Sequence, residues 1–468
     1  MNMKPLADMP DLPAGEYPIE PGLLPPSRDL LPQQKTPAAS ERVADYLETR
    51  ITRNPRDLLS HVQRALLHHQ RGQPDDCFAA LIDLFVALGT AGRSLRASLI
   101  RQTADLLSDT QHQFLQAHLD VPIKASESLP KDCAAALTEG VSGTTRIVEA
   151  VNRPLAPDEL LESAYRAIEA GEDQTARIYL EKRLDNDPGD APATLELLAL
   201  YKRNGMRDAF RRARTRLSSR RLALPELWDK LETQFDQGVI LPQVTNSLSP
   251  KEPTVTEYQL LERYHLLPTP AGAYYAVSSP ETEPLRTLLL TLMKHETTPR
   301  CDLQELGRAL GMASDQQVLE LIHQAQTLSW IQGYETPRQA PLSRIGEQLE
   351  GLLGPLSSIH KGLLVDWNGF AFARHGIDNE IAETLSALAT DIAAVESRHS
   401  ARLKQYLGVA SQGWAAVDAY GASRIGAWPL FVGEHRFLLV LQGEPRLNQD
   451  AFVTLTWILV NRYGARTN

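Results

Sequence analysis

Lys361-Gly362-Leu363-Leu364-Val365-Asp366-Trp367-Asn368-Gly369-Phe370-Ala371-Phe372-Ala373-Arg374 is the stretch that decides how this chain is read. Residues 361–366 form a short apolar run of strand character. Asn368-Gly369 behind it is a two-residue hairpin signal, because both central positions of such a turn must accept positive φ. Phe370 to Arg374 then returns as a second strand.

Downstream, Asp378 is placed to cap a helix, and Ile381, Leu385, Leu388, Ile392 and Val395 recur at spacings of three and four over 378–399. Three further strands are expected at 413–418, 423–428 and 436–441. They are separated by Ala419-Tyr420-Gly421 and Gly433-Glu434, and an apolar helix is expected over 447–463. Upstream, Leu342, Ile345, Leu349, Leu352 and Leu353 make an amphipathic stretch.

Helix, two strands, long helix, three strands and helix is an order that resembles the roadblock/dynein light-chain family, and within it the MglB-type regulators of bacterial gliding motility. The resemblance rests on Gly362 to Phe370, the helix after it and the Trp414 to Leu441 meander, roughly a quarter of the chain. It implies an α/β domain over 339–468 with a five-stranded antiparallel sheet. It implies a homodimer formed through the long helix and the neighbouring middle strand, with Leu385, Leu388, Ala389, Ile392, Val395, Trp414 and Ala416 as interface candidates. It also implies a Ras-like small GTPase as partner. MglB-type regulators lack an arginine finger and reshape the partner's own switch regions, so no catalytic residue is expected. This chain carries more than three hundred residues ahead of that segment, unlike the simple regulators, which shifts the expectation from direct activation toward a scaffold or polarity adaptor.

Composition narrows the rest. A 43% hydrophobic and 23% charged chain is ordinary for a soluble protein, and its length suits two to four domains. No run approaches the ~18 apolar residues of a membrane span, so no membrane insertion is expected. Nine prolines within 1–37 break every hydrophobic run there, giving a disordered Pro-rich leader over 1–40 and a cytoplasmic expectation. Cys77, Cys133 and Cys301 are isolated and odd in number, which suggests neither a disulfide framework nor a zinc site. A net charge of −10 disfavours a general nucleic-acid binder.

Between these ends the pattern is helical. A first block spans 41–120: Asn54-Pro55-Arg56-Asp57 opens a helix, Gly72-Gln73-Pro74 breaks it, and a second apolar helix runs from Cys77 to Leu88. Residues 121–156 read as a connector with one helix at 134–137 or 145–151. A second block spans 157–235, where Gly171 and Gly205 stand 34 residues apart, the tetratricopeptide period. Ala176, Leu180 and Pro188 fit that period; Phe210 stands where a small residue is usual. The block resembles the helical repeats of FimV-type pilus proteins, which implies a surface for an unidentified protein partner. Arg207, Arg211, Arg212, Arg214 and Arg216, with Arg220 and Arg221, form a basic run that is the candidate for an acidic partner; the other reading is a solvated face paired with local acids.

Residues 236–256 read as a linker. Over 257–338, Leu285 to Met293, Leu303 to Leu310 and a third helix behind Ser314 are followed by Trp330 to Tyr334, a pattern resembling a winged helix-turn-helix. The third helix offers Asp315, Gln316, Gln317, Glu320, His323, Gln324 and Gln326, and no cation for phosphate. DNA is therefore an improbable partner, and a protein contact is the better expectation.

No phosphate-binding loop, HExxH or GxSxG motif occurs. His68 and His69 lack matching ligands. His360, His375, His399 and His435 are scattered, a pH-sensing role being the alternative to plain surface histidines. The expectation is a multidomain, non-enzymatic adaptor without cofactor or metal: a helical-repeat half, a winged-helix-like module and a C-terminal roadblock domain. The alternative is a transcriptional regulator that binds DNA through the winged helix and dimerises through the roadblock domain.

Overall fold

The computed structural model describes residues 37–130, 133–218, 226–237, 254–261, 263–408, 413–419 and 421–464. The leader up to residue 36, most of the 236–256 linker, Arg220, Arg221 and the turn residue Tyr420 lie outside the described residues. The structure is mixed helix and sheet, with seventeen helices and one five-stranded antiparallel sheet among the described residues. The chain divides into two compact units, Met1–Glu149 with Leu260–Asn468, and Ala150–Gln259.

The first unit begins with α1 (Pro37–Arg53), α2 (Leu58–Gln70), α3 (Pro74–Leu88), α4 (Arg93–Gln102) and α5 (Asp109–Ala117). Their ends follow from side-chain chemistry. Asp57 accepts from the Ser60 amide at the start of α2, Pro74 opens α3, and Ser108 with Gln111 makes a reciprocal capping box on α5. Helix α3 is buried along its whole middle, and Phe78 and Phe85 each contribute about 1.5–3 kcal/mol by leaving water.

The 121–147 stretch contains no helix among its described residues, so neither helix expected at 134–137 or 145–151 forms. It nevertheless buries Ile123, Ala135, Val141 and Ile147. Its backbone is held by side chains: the Asp83 carboxylate accepts from the Ala136 amide (3.0 Å) and the Leu137 amide (2.7 Å). Such contacts leave no periodic trace in the sequence.

The second unit is an insertion, entered through β1 (Val148–Pro154) and left through β2 (Thr254–Leu260), which pair with each other. Between them lie α6 (Pro157–Glu169), α7 (Asp173–Asn186), α8 (Ala191–Arg203), α9 (Arg207–Ser218) and α10 (Glu226–Asp236). The two glycines of the 34-residue period, Gly171 and Gly205, sit at φ +76° and +60° in the α6–α7 and α8–α9 turns. Phe210 replaces the usual small residue because α10 supplies an aromatic wall: its ring stacks on Trp228 with centroids 5.4 Å apart.

The first unit resumes with β3 (His265–Pro268), α11 (Pro270–Val277), α12 (Pro284–Met293), α13 (Leu303–Leu310), α14 (Asp315–Thr327) and β4 (Ile331–Tyr334). Strands β3 and β4 pair antiparallel. Sequence reading missed α11, although Thr269 followed by Pro270 is a cap and first-turn signal; Thr269 accepts from the Gly272 amide. Two glutamines fasten the 142–148 stretch here. Gln332 Oε1 accepts from the Ser142 amide (2.9 Å) and the Gly143 amide (3.0 Å). Gln326 Oε1 accepts from the amides of Ile147 (2.7 Å) and Val148 (2.9 Å), and its Nε2 donates to the Val148 carbonyl (2.9 Å).

The last segment contains α15 (Ile345–Leu353), β5 (Gly362–Asp366), β6 (Ala371–His375), α16 (Asn379–Leu407), β7 (Trp414–Val417), β8 (Ser423–Val432), β9 (His435–Gln442) and α17 (Asp450–Tyr463). The sheet order is β6-β5-β9-β8-β7, antiparallel throughout. The hairpin differs from the two-residue turn expected. Only Gly369 has positive φ (+87°), and Trp367, Asn368 and Gly369 form a three-residue loop. The Asp366 carboxylate fixes it by accepting from the amides of Asn368 (2.9 Å) and Phe370 (2.8 Å). Pro429 sits inside β8, but β7 pairs only as far as Ala427, so no partner strand needs the missing N–H.

Side chains alternate across the sheet. Leu363, Val365, Leu438 and Val440 face α16, and Leu364, Phe437, Leu439 and Leu441 face α15 and α17. Helix α17 is buried from Phe452 to Asn461 at every position but Thr454 because α11 and α12 pack on its far side. Trp457 Nε1 donates to the His295 carbonyl (2.8 Å) and Asn461 Nδ2 to that of Lys294 (3.0 Å). The segments 257–338 and 339–468 thus share one core.

Candidate functional site: the outer face of the long helix

The three cysteines are buried and unreactive. Burial pushes the thiols of Cys77, Cys133 and Cys301 up to about 12, far from a reactive thiolate. Among the described residues no group of three or more His, Cys, Asp or Glu side chains is placed to hold a metal, and no helix is long and apolar enough to cross a membrane. Burial, then the Arg64 charge, lowers His68 to about 4, so it is a packed neutral ring hydrogen-bonded to Gln73 (3.0 Å).

The basic run on α9 finds its charge partners within its own unit. Arg207 and Arg211 pair with Asp236 (2.5 and 2.9 Å), Arg214 with Asp229 and Glu232, and Arg216 with Asp185 (2.9 Å) and Glu181 (3.1 Å). Of the candidate set, Arg212 alone makes no ion pair among the described residues. Local acids therefore answer the charge that had pointed to a partner. On α14, Asp315, Gln316, Gln317, Glu320 and Gln324 are exposed, and Gln326 is spent on the 147–148 backbone. That face carries no cation to meet phosphate.

Helix α16 is different. Its inner stripe is made of small residues, Ala382, Ser386, Ala389 and Ala393, all buried against the sheet. Small side chains let the helix lie close to the strands, so the large ones point away. Ile381, Leu388 and Val395, seven residues apart, are 48%, 45% and 47% exposed, with Leu385 and Ile392 half-buried between them. An apolar seam at spacings of four and three on a 29-residue helix is the geometry by which one helix packs on another. Among the described residues the seam has no cover.

These positions revise the interface expected from sequence. Leu388 and Val395 lie on the free face, with Leu385 and Ile392 at its margin. Ala389 does not: it is 1% exposed, beneath the helix, and leaves the set. Ala416 is exposed on the edge strand β7, while Trp414 is half-buried against the α16 core with its Nε1 unpartnered. Ile381 was left out, although stepping back seven residues from Leu388 finds it. The helix also runs beyond the expected stop at His399, because nothing breaks it before Gly408 caps it at φ +65°.

Among the described residues the sheet ends in an unpaired edge. Strand β7 pairs with β8 on one side only, and Ala415, Ala416 and Val417 are exposed on it. No family model, curated protein or solved structure matches this chain, so this face is read from its own residues.

Proposed function

We propose that this protein is a non-enzymatic adaptor of the roadblock type. Its C-terminal segment takes a second copy on the outer face of α16 and the β7 edge, and the joined surface receives a Ras-like small GTPase. The helical repeats of the inserted unit recruit a protein of a motility, pilus, polarity or secretion system. The observation that carries the reading is the seam of Ile381, Leu388 and Val395, uncovered among the described residues, together with an edge strand that has no second partner there. The run of elements from α15 to α17 supports it, since it keeps the order that carried the family resemblance. The lack of a reactive thiol or metal cluster among the described residues gives no support to an enzymatic reading, and the cation-free face of α14 gives none to a DNA-binding regulator.

The test is a pull-down from native lysate with the full chain as bait, run in parallel with a GTP analogue and with GDP. Full-length bait is needed because α17 shares its core with α11 and α12, and a fragment cut near residue 340 would expose it. A small GTPase retained in one nucleotide state only is the expected result. Recovery of only the protein's own copies in both states would reduce the reading to a self-pairing module.

A further inference from the structure

The end of the sheet where β9 begins carries aromatic rings that stay uncovered among the described residues. Strand β6 is an outer strand, paired with β5 alone. A bulge in that pairing leaves Phe372 without a partner on β5, and its ring meets Phe437 (5.6 Å between centroids) and Tyr463 (5.9 Å). The His435 ring packs edge-on against Tyr463 (5.2 Å). Phe370 is 69% exposed and Phe372 41%, and His435 is exposed beside them.

Charge at this end leans positive. Arg436 lies exposed over the rings of Trp367 (5.3 Å) and Phe431 (5.4 Å), and Arg462 is exposed one residue before Tyr463. Neither arginine forms an ion pair among the described residues, in contrast to those of α9. The acids at this end include Glu434 in the β8–β9 turn and Asp366, whose carboxylate is engaged by the amides of Asn368 and Phe370.

The chain itself contains a segment of matching chemistry. Pro10-Asp11-Leu12-Pro13 and Pro18-Ile19-Glu20-Pro21 each set two prolines three residues apart. Three residues make one turn of a polyproline II helix, so each pair falls on one edge of it. Residues 5–27 carry Asp8, Asp11, Glu16 and Glu20 and no Lys, Arg or His. Slots between aromatic rings are where such a helix docks, since a proline fits flat against a ring and has little freedom left to lose.

Reach is sufficient within one chain. Residues 22–36, between Pro21 and α1, can extend about 50 Å. Pro37 is about 18 Å along α1 from Thr49, whose hydroxyl donates to Glu444 (2.8 Å), and Glu444 is about 30 Å along the β9 direction from His435. Laid end to end these legs match that reach, and any bend between them shortens the path.

We propose that the aromatic end of the sheet is the docking site of the chain's own Pro-rich leader, residues 10–21. The paired prolines seat among Phe370, Phe372, His435 and Tyr463, and the acids between them meet Arg436 and Arg462. Strand β6 lies at the opposite edge of the sheet from β7, so this docking is independent of the self-pairing reading.

The experiment places a benzophenone photo-crosslinker at position 19 of the full chain and maps its products by mass spectrometry. Illumination should join residue 19 to peptides containing Phe370, Phe372, His435 or Tyr463. P10A/P13A/P18A/P21A, which alters no described residue, and F370S/F372S should each cut that yield ~10-fold, and R436E/R462E about 3-fold. Phe370→Ser alone keeps the patch under test should the double variant melt early, because its ring is mostly in solvent. A mixture of light and heavy-isotope chains should give cross-links within one mass only. Cross-links scattered over the surface, none at all, or a yield unmoved by the proline variant would overturn the docking. Light-to-heavy cross-links at this patch would overturn the own-chain assignment and give the site to the leader of a second copy.

Discussion

Arg446 donates from Nη2 to Glu48 Oε2 at 3.1 Å, and both side chains are more than nine-tenths buried. The same Glu48 oxygen accepts from Arg64 Nη2 (2.8 Å), whose Nη1 reaches Asp83 (2.5 Å). The loop before α17 is thereby bound to α1, α2 and α3. Against the penalty of burial, Arg446 and Arg64 hold the Glu48 carboxyl down at about 2.

Removing one member of this cluster leaves an uncompensated buried charge. Glu48→Gln should cost about 3–5 kcal/mol, read as a lower urea midpoint of the full chain. Glu48→Met with Arg446→Met should cost clearly less than the single change, because apolar packing replaces both charges. Additive losses in the double variant would count against a coupled pair.

Two groups nearby give opposite pH signatures. Burial, then Glu48, raises Asp45 to about 6. A raised carboxyl stabilises the fold fully below its unfolded value of 3.8, and that stability is lost as pH climbs to about 6. Asp45→Asn should therefore raise stability at pH 7 by about 1–2 kcal/mol, with the gain vanishing below pH 4. His68, lowered from 6.5 to about 4, loses its contribution as pH falls through that window. His68→Gln should flatten the loss between pH 6.5 and 4. Denaturant midpoints from pH 4 to 8 check both signs.

Two neighbouring residues on α16 should behave as opposites. Leu388→Asp changes an exposed seam position and should abolish self-association while leaving the melting temperature within a few degrees. Ala389→Asp places a charge beneath the helix and should destabilise the fold by more than about 3 kcal/mol. Light scattering and thermal melts of the full chain separate the two.

The inserted unit begins and ends at one point, for the Leu261 amide donates to the Ile147 carbonyl at 3.0 Å. Replacing residues 150–259 by a short Gly-Ser link should leave the remaining chain folded, with its helical and sheet signals intact. Gln326→Ala should loosen that root, seen as faster amide exchange at Ile147 and Val148, whose N–H groups it holds.

The large-scale order of elements was legible because it is written in periodicity and breakers. The apolar run 361–366 ends at Asn368-Gly369 and marks the hairpin, Gly171 and Gly205 mark two helix turns, and Ser314 caps α14. What escaped lies where chemistry is not periodic. The alanines at 382, 389 and 393 pack against the sheet, yet alanine suits either face, so Ala389 was grouped with the outward Leu388 and Val395 although it lies beneath the helix. The 121–147 stretch looked loose because its order comes from Asp83, Gln326 and Gln332, each far away in sequence.

Helix α17 fills one core from both sides, against the sheet and against α11 and α12, and it follows all of them along the chain. During synthesis those partners emerge first and must wait with apolar surface uncovered until Tyr463 has left the ribosome. A chain cut short anywhere before Asp450 cannot hide that surface. Translation through α17 is thus inspected by the fold itself: quality control meets a product truncated before it as an exposed greasy face.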